Sequence, residues 1–388
     1  MHPEATLEAT LERASAACPK RMHYGPCGGV HPGGGCEVPG RRCSFVDLDD
    51  DVLATLAFSP DEVAAPPGGE RDALRPADER PAAAGEFAAL AAAGGMITTD
   101  LNARGTDPGV FAEAAALLSG LSAVVAGEPP GLHDTLSPAH KALVLSRHGA
   151  RVIAGLTCRD RNRVALEGEL AALADIGVAG VLAVTGDHPA STVRPDAAGV
   201  FDLDSTRLAA LVRRAGLFCA VAEQPSAAPV SYRPARLAMK VRAGAELCFL
   251  NLCGGADEVA AFASAARGAG AGVPLVANVP VVTSPEAAAR LAALPGARLP
   301  PAIASLSART RDTDEPATHT TRWAAVTPDE GITAAVDLAC AMLAVPGVAG
   351  VHLSAIGSPR DVTGLAATTI VARTAALIRA RLATGTPA

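Results

Sequence analysis

The residues with the most chemical potential near the start of this chain are four cysteines, Cys18, Cys27, Cys36 and Cys43, set among glycine, proline and polar residues. A stretch so poor in apolar side chains has little to bury, so a metal or disulfides are expected to hold it together. The first residues carry acids and no basic-then-apolar leader, which predicts a cytoplasmic protein, where clustered thiols bind metal more often than they pair. Four thiolates suit a closed zinc site, and equally an iron–sulfur cluster. No tight C-x-x-C pair is present to decide between them.

A second set of reactive groups sits where short apolar runs end. Asp100 closes the run from Met96. Thr157-Cys158-Arg159-Asp160 follows Val152-Ile-Ala-Gly-Leu, and Thr185-Gly186-Asp187-His188 follows Gly180-Val-Leu-Ala-Val. Asn251 and His352-Leu-Ser354 end two further runs. Taken singly, Asp187 and Asp160 read as turn or helix-cap residues. Taken together, they mark one face, because the runs alternate with helical patterns.

The expected strands are Met96–Leu101, Ala123–Ala126, Val152–Thr157, Gly180–Thr185, Leu217–Ala222, Leu247–Asn251, Val273–Val279 and Val348–Leu353. The expected helices are 109–119, 137–148, 160–176, 204–215, 233–244, 256–269, 284–294 and 331–344. This alternation predicts an α/β fold, a (β/α)8 TIM barrel, whose reactive face lies at the C-terminal ends of the strands. A doubly wound sheet would also alternate, but no G-x-G-x-x-G follows the first strand. The expected domains are a cysteine-rich knuckle over 1–50, a linker rich in Pro, Gly and charge over 51–82, and the barrel over 83–388.

Composition sets outer bounds. The chain has 388 residues, 49% hydrophobic and 19% charged, with a net charge of -7. A soluble core is expected, and the acidic balance argues against a nucleic-acid groove. No apolar run is long enough to predict a membrane span. Lysine occurs only at Lys20, Lys141 and Lys240.

Gly155-Leu-Thr-Cys-Arg-Asp-Arg-Asn162 and Val181-Leu-Ala-Val-Thr-Gly-Asp187, in that order, resemble the methylenetetrahydrofolate reductase family. Val200-Phe-Asp-Leu-Asp204, Arg236-Leu-Ala-Met-Lys-Val-Arg-Ala-Gly-Ala245 and Gly347-Val-Ala-Gly-Val-His-Leu353 extend the resemblance across about 95–355. The cysteine segment resembles the small zinc-binding-like domain associated with some of these proteins.

The resemblance implies a barrel holding FAD, with NAD(P)H as hydride source and tetrahydrofolate as the bound substrate. It places Thr157, Arg159, Asp160, Thr185, Gly186, Asp187 and His188 around the flavin, with Arg236 and Lys240 toward its phosphates. Asp187 would act beside the pyrimidine edge, and Asn251 would contact the folate. The proton donor falls on Asp100, or on Thr99 if no gap is allowed. The family's partner residues after the second strand and before Leu-Thr-Cys are replaced by Glu128 and Gly155. Two rival readings therefore stay open: a folate-dependent methyltransferase, and a non-catalytic companion subunit. Self-association or a partner subunit held through the knuckle also stays open.

Overall fold

The computed structural model describes residues 3–59, 63, 80–129, 131, 134–252, 254–294, 296–308, 327–355 and 361–384. Most of the expected linker lies outside the described residues, as do Trp323 and Cys253.

Among the described residues, three helices precede the first strand: α1 (Pro3–Ala17), α2 (Asp50–Ala54) and α3 (Ala82–Ala93). Eight strands follow: β1 (Met96–Asp100), β2 (Ala123–Ala126), β3 (Val152–Thr157), β4 (Gly180–Val184), β5 (Cys219–Glu223), β6 (Leu247–Leu250), β7 (Leu275–Val281) and β8 (Val348–Ala355). They pair in parallel, in sequence order, and close on themselves as a barrel. The helices between them are α4 (Pro108–Leu118), α5 (Pro138–Arg147), α6 (Arg163–Ile176), α7 (Ser205–Arg214), α8 (Arg233–Arg242) and α9 (Ala256–Gly268). Between β7 and β8 come α10 (Pro285–Ala292), α11 (Pro301–Ala308) and α12 (Pro328–Leu343), and α13 (Leu365–Thr384) follows β8. The expected TIM barrel is therefore present, with strand ends within a few residues of those read from the sequence.

Local chemistry explains the helix starts. Asp107, Ser137, Asn162 and Asp204 each accept a backbone N–H from the first turn they precede, and Pro108 and Pro138 sit where a missing N–H costs nothing. Gly177 ends α6 in the left-handed region at φ 78°.

Strand alternation splits the apolar side chains into two layers. Outward residues such as Val124, Leu156, Val181, Val221 and Leu353 pack under the helices. Inward residues Met96, Val125, Ile153, Ala220, Leu247, Phe249 and Val276 fill the lower barrel. The helix α3, absent from the expected elements, plugs the bottom: Phe87 meets Phe218 edge-on at 5.2 Å. The helix α13 is also absent from them; it packs beside α12 and α4 and completes the outer ring.

The cysteine segment has more apolar support than its composition suggests. Ala14, Met22, Tyr24, Val30, Phe45 and Leu53 cluster with Tyr232 and with Met239 of α8. The segment borrows its missing core from the barrel, which is why counting its own apolar residues misleads. The join is tight. Gly25 has φ +84°, and a Cβ there would lie 2.5 Å from Tyr232 Cε1.

Candidate active site at the C-terminal mouth of the barrel

The inward positions near the strand C-termini are mostly small or polar: Asp100, Gly155, Thr157, Ala222, Asn251, Asn278, His352 and Ser354, with Leu182 and Val184 the apolar exceptions. On β4 the inward Leu182 and Val184 are partly exposed while the outward Val181 and Ala183 are buried. Ala222, Asp100 and Ser354 are likewise reached by solvent. The barrel is thus open as a hollow at this end, walled by Leu182, Val184 and Ala222.

One wall of the hollow gathers the β3 and β4 ends. Gly186 sits at φ +84°, and a Cβ there would lie 2.9 Å from Thr157 Cβ and 3.1 Å from Arg159 Cβ. Only glycine lets the two turns meet, which accounts for Thr-Gly-Asp as a motif. Glu128, from the loop after β2, accepts from the Thr157 backbone N–H at 3.1 Å and its hydroxyl at 3.0 Å, and pairs with Arg161 at 2.8 Å. Arg159 pairs with Asp160 at 2.7 Å. Burial pulls the Arg159 guanidinium down, but Asp160, Glu128 and Asp187 together raise it. Thr185 Oγ1 accepts the Ser205 N–H at 3.2 Å, and His188 stacks on Phe201 at 5.8 Å. Burial lowers the His188 imidazole, so at neutral pH it is uncharged and its Nδ1 accepts the Ala190 N–H at 3.1 Å. Beside this wall lies a cleft of ≈ 320 Å³, lined by Arg159, Thr192 and Arg194 together with Glu128, Asp134 and Asp160.

The opposite wall, β7–β8–β1, carries a connected polar network. Thr98 and Asn278 flank His352 in register on the two neighbouring strands. His352 Nδ1 lies 3.0 Å from Thr98 Oγ1, and Nε2 lies 3.2 Å from Asp100 Oδ1. Ser354 donates to Asp100 Oδ2 at 2.8 Å and accepts from Asn278 Nδ2 at 2.8 Å. The Asn278 Oδ1 is buried and has no partner. Desolvation pushes the Asp100 carboxyl up, but His352 and Ser354 overcome it and hold it below the ordinary carboxylate range. Of the two residues the resemblance offered for proton donation, Asp100 enters this network. Thr99 is buried and spends its hydroxyl on the Leu353 carbonyl at 2.7 Å.

The structure places other expected residues elsewhere. Arg236 and Lys240 are buried, not exposed at the mouth. With Arg233 they surround Glu223, whose carboxylate lies 2.8 Å from Lys240 Nζ, 3.3 Å from Arg233 and 3.5 Å from Arg236. Desolvation raises Glu223, but the three cations overcome it and hold it at about 2. Arg233 and Arg236 also donate to the Pro26 carbonyl of the cysteine segment, at 3.1 and 2.8 Å. Asn251 is exposed on the rim after β6, its backbone N–H bound to the Glu223 carbonyl at 2.9 Å.

The metal expectation is not supported. Cys18, Cys27, Cys36 and Cys43 are free thiols, and among the described residues no group of three or more Cys, His, Asp or Glu is arranged to hold a metal ion. Burial pushes the Cys18 and Cys36 thiols up, and Cys43 to about 11. Apolar packing against Tyr232 and Met239 also holds the segment in place. Cys158 is also buried, and desolvation raises its thiol far above the reactive range.

The sequence reading missed Asn278 and Thr98, and met Glu128 only as a departure from the family. The signal for Asn278 was an amide inside an otherwise apolar strand.

The family model described as methylenetetrahydrofolate reductase matches residues 125–365. That span runs from within β2 to the start of α13 and includes all but one of the mouth-lining strands. The chain belongs to the methylenetetrahydrofolate reductase family. Membership makes it an oxidoreductase of tetrahydrofolate one-carbon metabolism. The match begins after the cysteine segment, which the family model does not cover.

No curated protein matches the chain significantly. Among solved structures, it is similar to a putative lyase/mutase from Burkholderia cenocepacia J2315 at 16% identity and TM-score 0.42, covering 79% of this chain and 88% of that one. It is similar to an oxaloacetate acetylhydrolase at 11% identity and TM-score 0.41, covering 79% and 98%. Neither likeness bears on the chemistry. No helix among the described residues is long and apolar enough to cross a membrane.

Proposed function

We propose that this methylenetetrahydrofolate reductase family member reduces 5,10-methylenetetrahydrofolate to 5-methyltetrahydrofolate with NAD(P)H, through FAD bound at the barrel mouth. The observation that carries the reading is a pair of carboxylates at the C-terminal ends of two barrel strands: Asp187 just after β4, close enough to Arg159 for its charge to be felt, and Asp100 at the end of β1, bound to His352. For a flat ring system, Ala222 is small, the partly exposed Leu182 and Val184 offer apolar walls, and Asn278 Oδ1 offers an unspent acceptor. The cofactor's phosphates have Arg159 and Arg194 available along the adjoining cleft. Their present partners, Asp160 and Asp196, are exposed and release them at small cost. Arg236 and Lys240 are already committed to Glu223.

Bound flavin supplies hydride transfer, from nicotinamide and then to the methylene carbon. The chain's residues do the rest. The Asp187 carboxylate favours a cationic, ring-opened folate over the neutral one. Ring opening needs a proton on the departing nitrogen. Asp100, held as a carboxylate, does not store that proton; His352 Nε2, 3.2 Å away, is the group that passes it. Asn251, exposed on the rim, would meet the folate amide edge with paired hydrogen bonds. The docking of the cysteine segment on its own barrel supports a chain that works by itself, because its apolar face is taken up by α8.

The test is the visible spectrum of the purified full chain, followed by nicotinamide oxidation with methylenetetrahydrofolate. A yellow protein whose NAD(P)H oxidation depends on the folate is expected. A colourless protein that binds folate and leaves nicotinamide untouched would overturn the reading in favour of methyl transfer without redox chemistry.

A further inference from the structure

The cysteine segment does more than cover the barrel. Lys20 and Glu37, from two of its turns, meet as a buried ion pair at 2.7 Å, with both side chains no more than 5% exposed. The pair is directed at one peptide segment. Lys20 Nζ donates to the Gly186 carbonyl at 2.8 Å, and Glu37 Oε1 accepts the His188 backbone N–H at 2.6 Å. These are the groups immediately before and immediately after Asp187. The ammonium also lies close enough to Asp187 for its charge to be felt there.

The surrounding residues leave the pair no freedom. Gly29 packs its backbone on the carboxylate; a Cβ there would lie 1.8 Å from Glu37 Oε2. The His23 N–H binds Asp204 at 3.3 Å, and the Tyr232 hydroxyl binds the Tyr24 carbonyl at 3.3 Å, so the stretch just after Lys20 is tied to the barrel. Arginine carries nearly all the positive charge of this chain, yet this position keeps one of three lysines, and all three are buried. A compact ammonium with three donors can bond a carbonyl and a carboxylate at once where a planar guanidinium would not fit.

We propose that the Lys20–Glu37 pair is a two-point clamp that positions Asp187, so that the cysteine segment is a structural part of the active site. This deepens the reading above and rests on Asp187 facing the substrate. Lys20 and Glu37 act through the backbone of residues 186–188; they are positioning residues and do not touch the reacting atoms.

The test uses the full chain loaded with FAD and the variants Lys20→Met, Glu37→Leu and Asp187→Asn. Hydrogen exchange supplies a readout independent of activity. The His188 amide is expected to exchange at least about 100-fold faster in Glu37→Leu, with the amides of β1–β8 unchanged. The flavin-to-folate half-reaction is expected to slow on the order of 100-fold in Lys20→Met, with the nicotinamide half-reaction little changed. Adding Lys20→Met to Asp187→Asn is expected to cost almost nothing more, because the two act as one unit. Folded variants that keep wild-type His188 protection and wild-type folate rate would overturn the proposal. So would fully additive effects in the double variant. If Lys20→Met does not fold, Glu37→Gln, which keeps the shape and removes the charge, carries the same kinetic comparison. A wild-type chain inert to folate would sink the functional reading alone, and the exchange result would still decide the clamp.

Discussion

Over β4 and β5 the mouth of the barrel is roofed by the cysteine segment, and its charges are locked in place. Glu223 is ringed by Arg233, Arg236 and Lys240, and Lys20 faces Glu37. Over β7, β8 and β1 no such roof lies among the described residues, and Asp100, with its side chain 51% exposed, shares a chain of hydrogen bonds with His352, Ser354 and Asn278. The first half holds permanent charges that cannot move. The second holds a partly exposed carboxylate in a hydrogen-bonded chain. On the proposed function, position would come from the covered half and proton traffic from the open one.

The strongest way to break this contrast is Glu223→Gln. It leaves three buried cations facing one another, and unfolding by urea is expected to show a loss of about 3–5 kcal/mol. The same carboxylate sets a pH dependence. Its folded pKa, about 2, lies below the ordinary 4.5, so its contribution is complete above that value and is lost as pH falls from about 4.5 toward 2. A stability profile flat through that window would contradict the charge cluster.

A smaller effect is expected from Gly29→Ala, which pushes Glu37 off its partners. Thermal melting is expected to report roughly 1–3 kcal/mol of destabilisation, with the open half untouched. The smallest stability effect belongs to Asp100→Asn, within about 1 kcal/mol, because the carboxylate is half solvated. Its consequence is expected in catalysis instead. A melting loss as large as that of Glu223→Gln would erase the distinction between the two halves.

Much of the barrel was legible because β/α alternation is a local signal. The runs from Val152 and Gly180 are each readable within a few residues. The Thr-Gly-Asp turn was legible for the same reason. What was not legible is long-range. Nothing near Arg236 and Lys240 in sequence announces Glu223 or the Pro26 carbonyl more than 200 residues earlier. Without that partner an i, i+4 pair of cations reads as an exposed, phosphate-seeking face. The cysteine segment misled in the same way, since its core is completed by Tyr232 and Met239. His352 was placed on the reactive face, but its partner was not legible, because its pairing with Asp100 spans the closure of the barrel from β8 to β1.

The most direct test of the division of labour separates the two half-reactions in Asp100→Asn by rapid mixing of the flavin-loaded chain. Flavin reduction by NAD(P)H is expected to proceed at the wild-type rate, while reoxidation by methylenetetrahydrofolate slows by about 100-fold or more. Equal rates in both half-reactions, or equal slowing of both, would contradict the assignment of proton traffic to the open half.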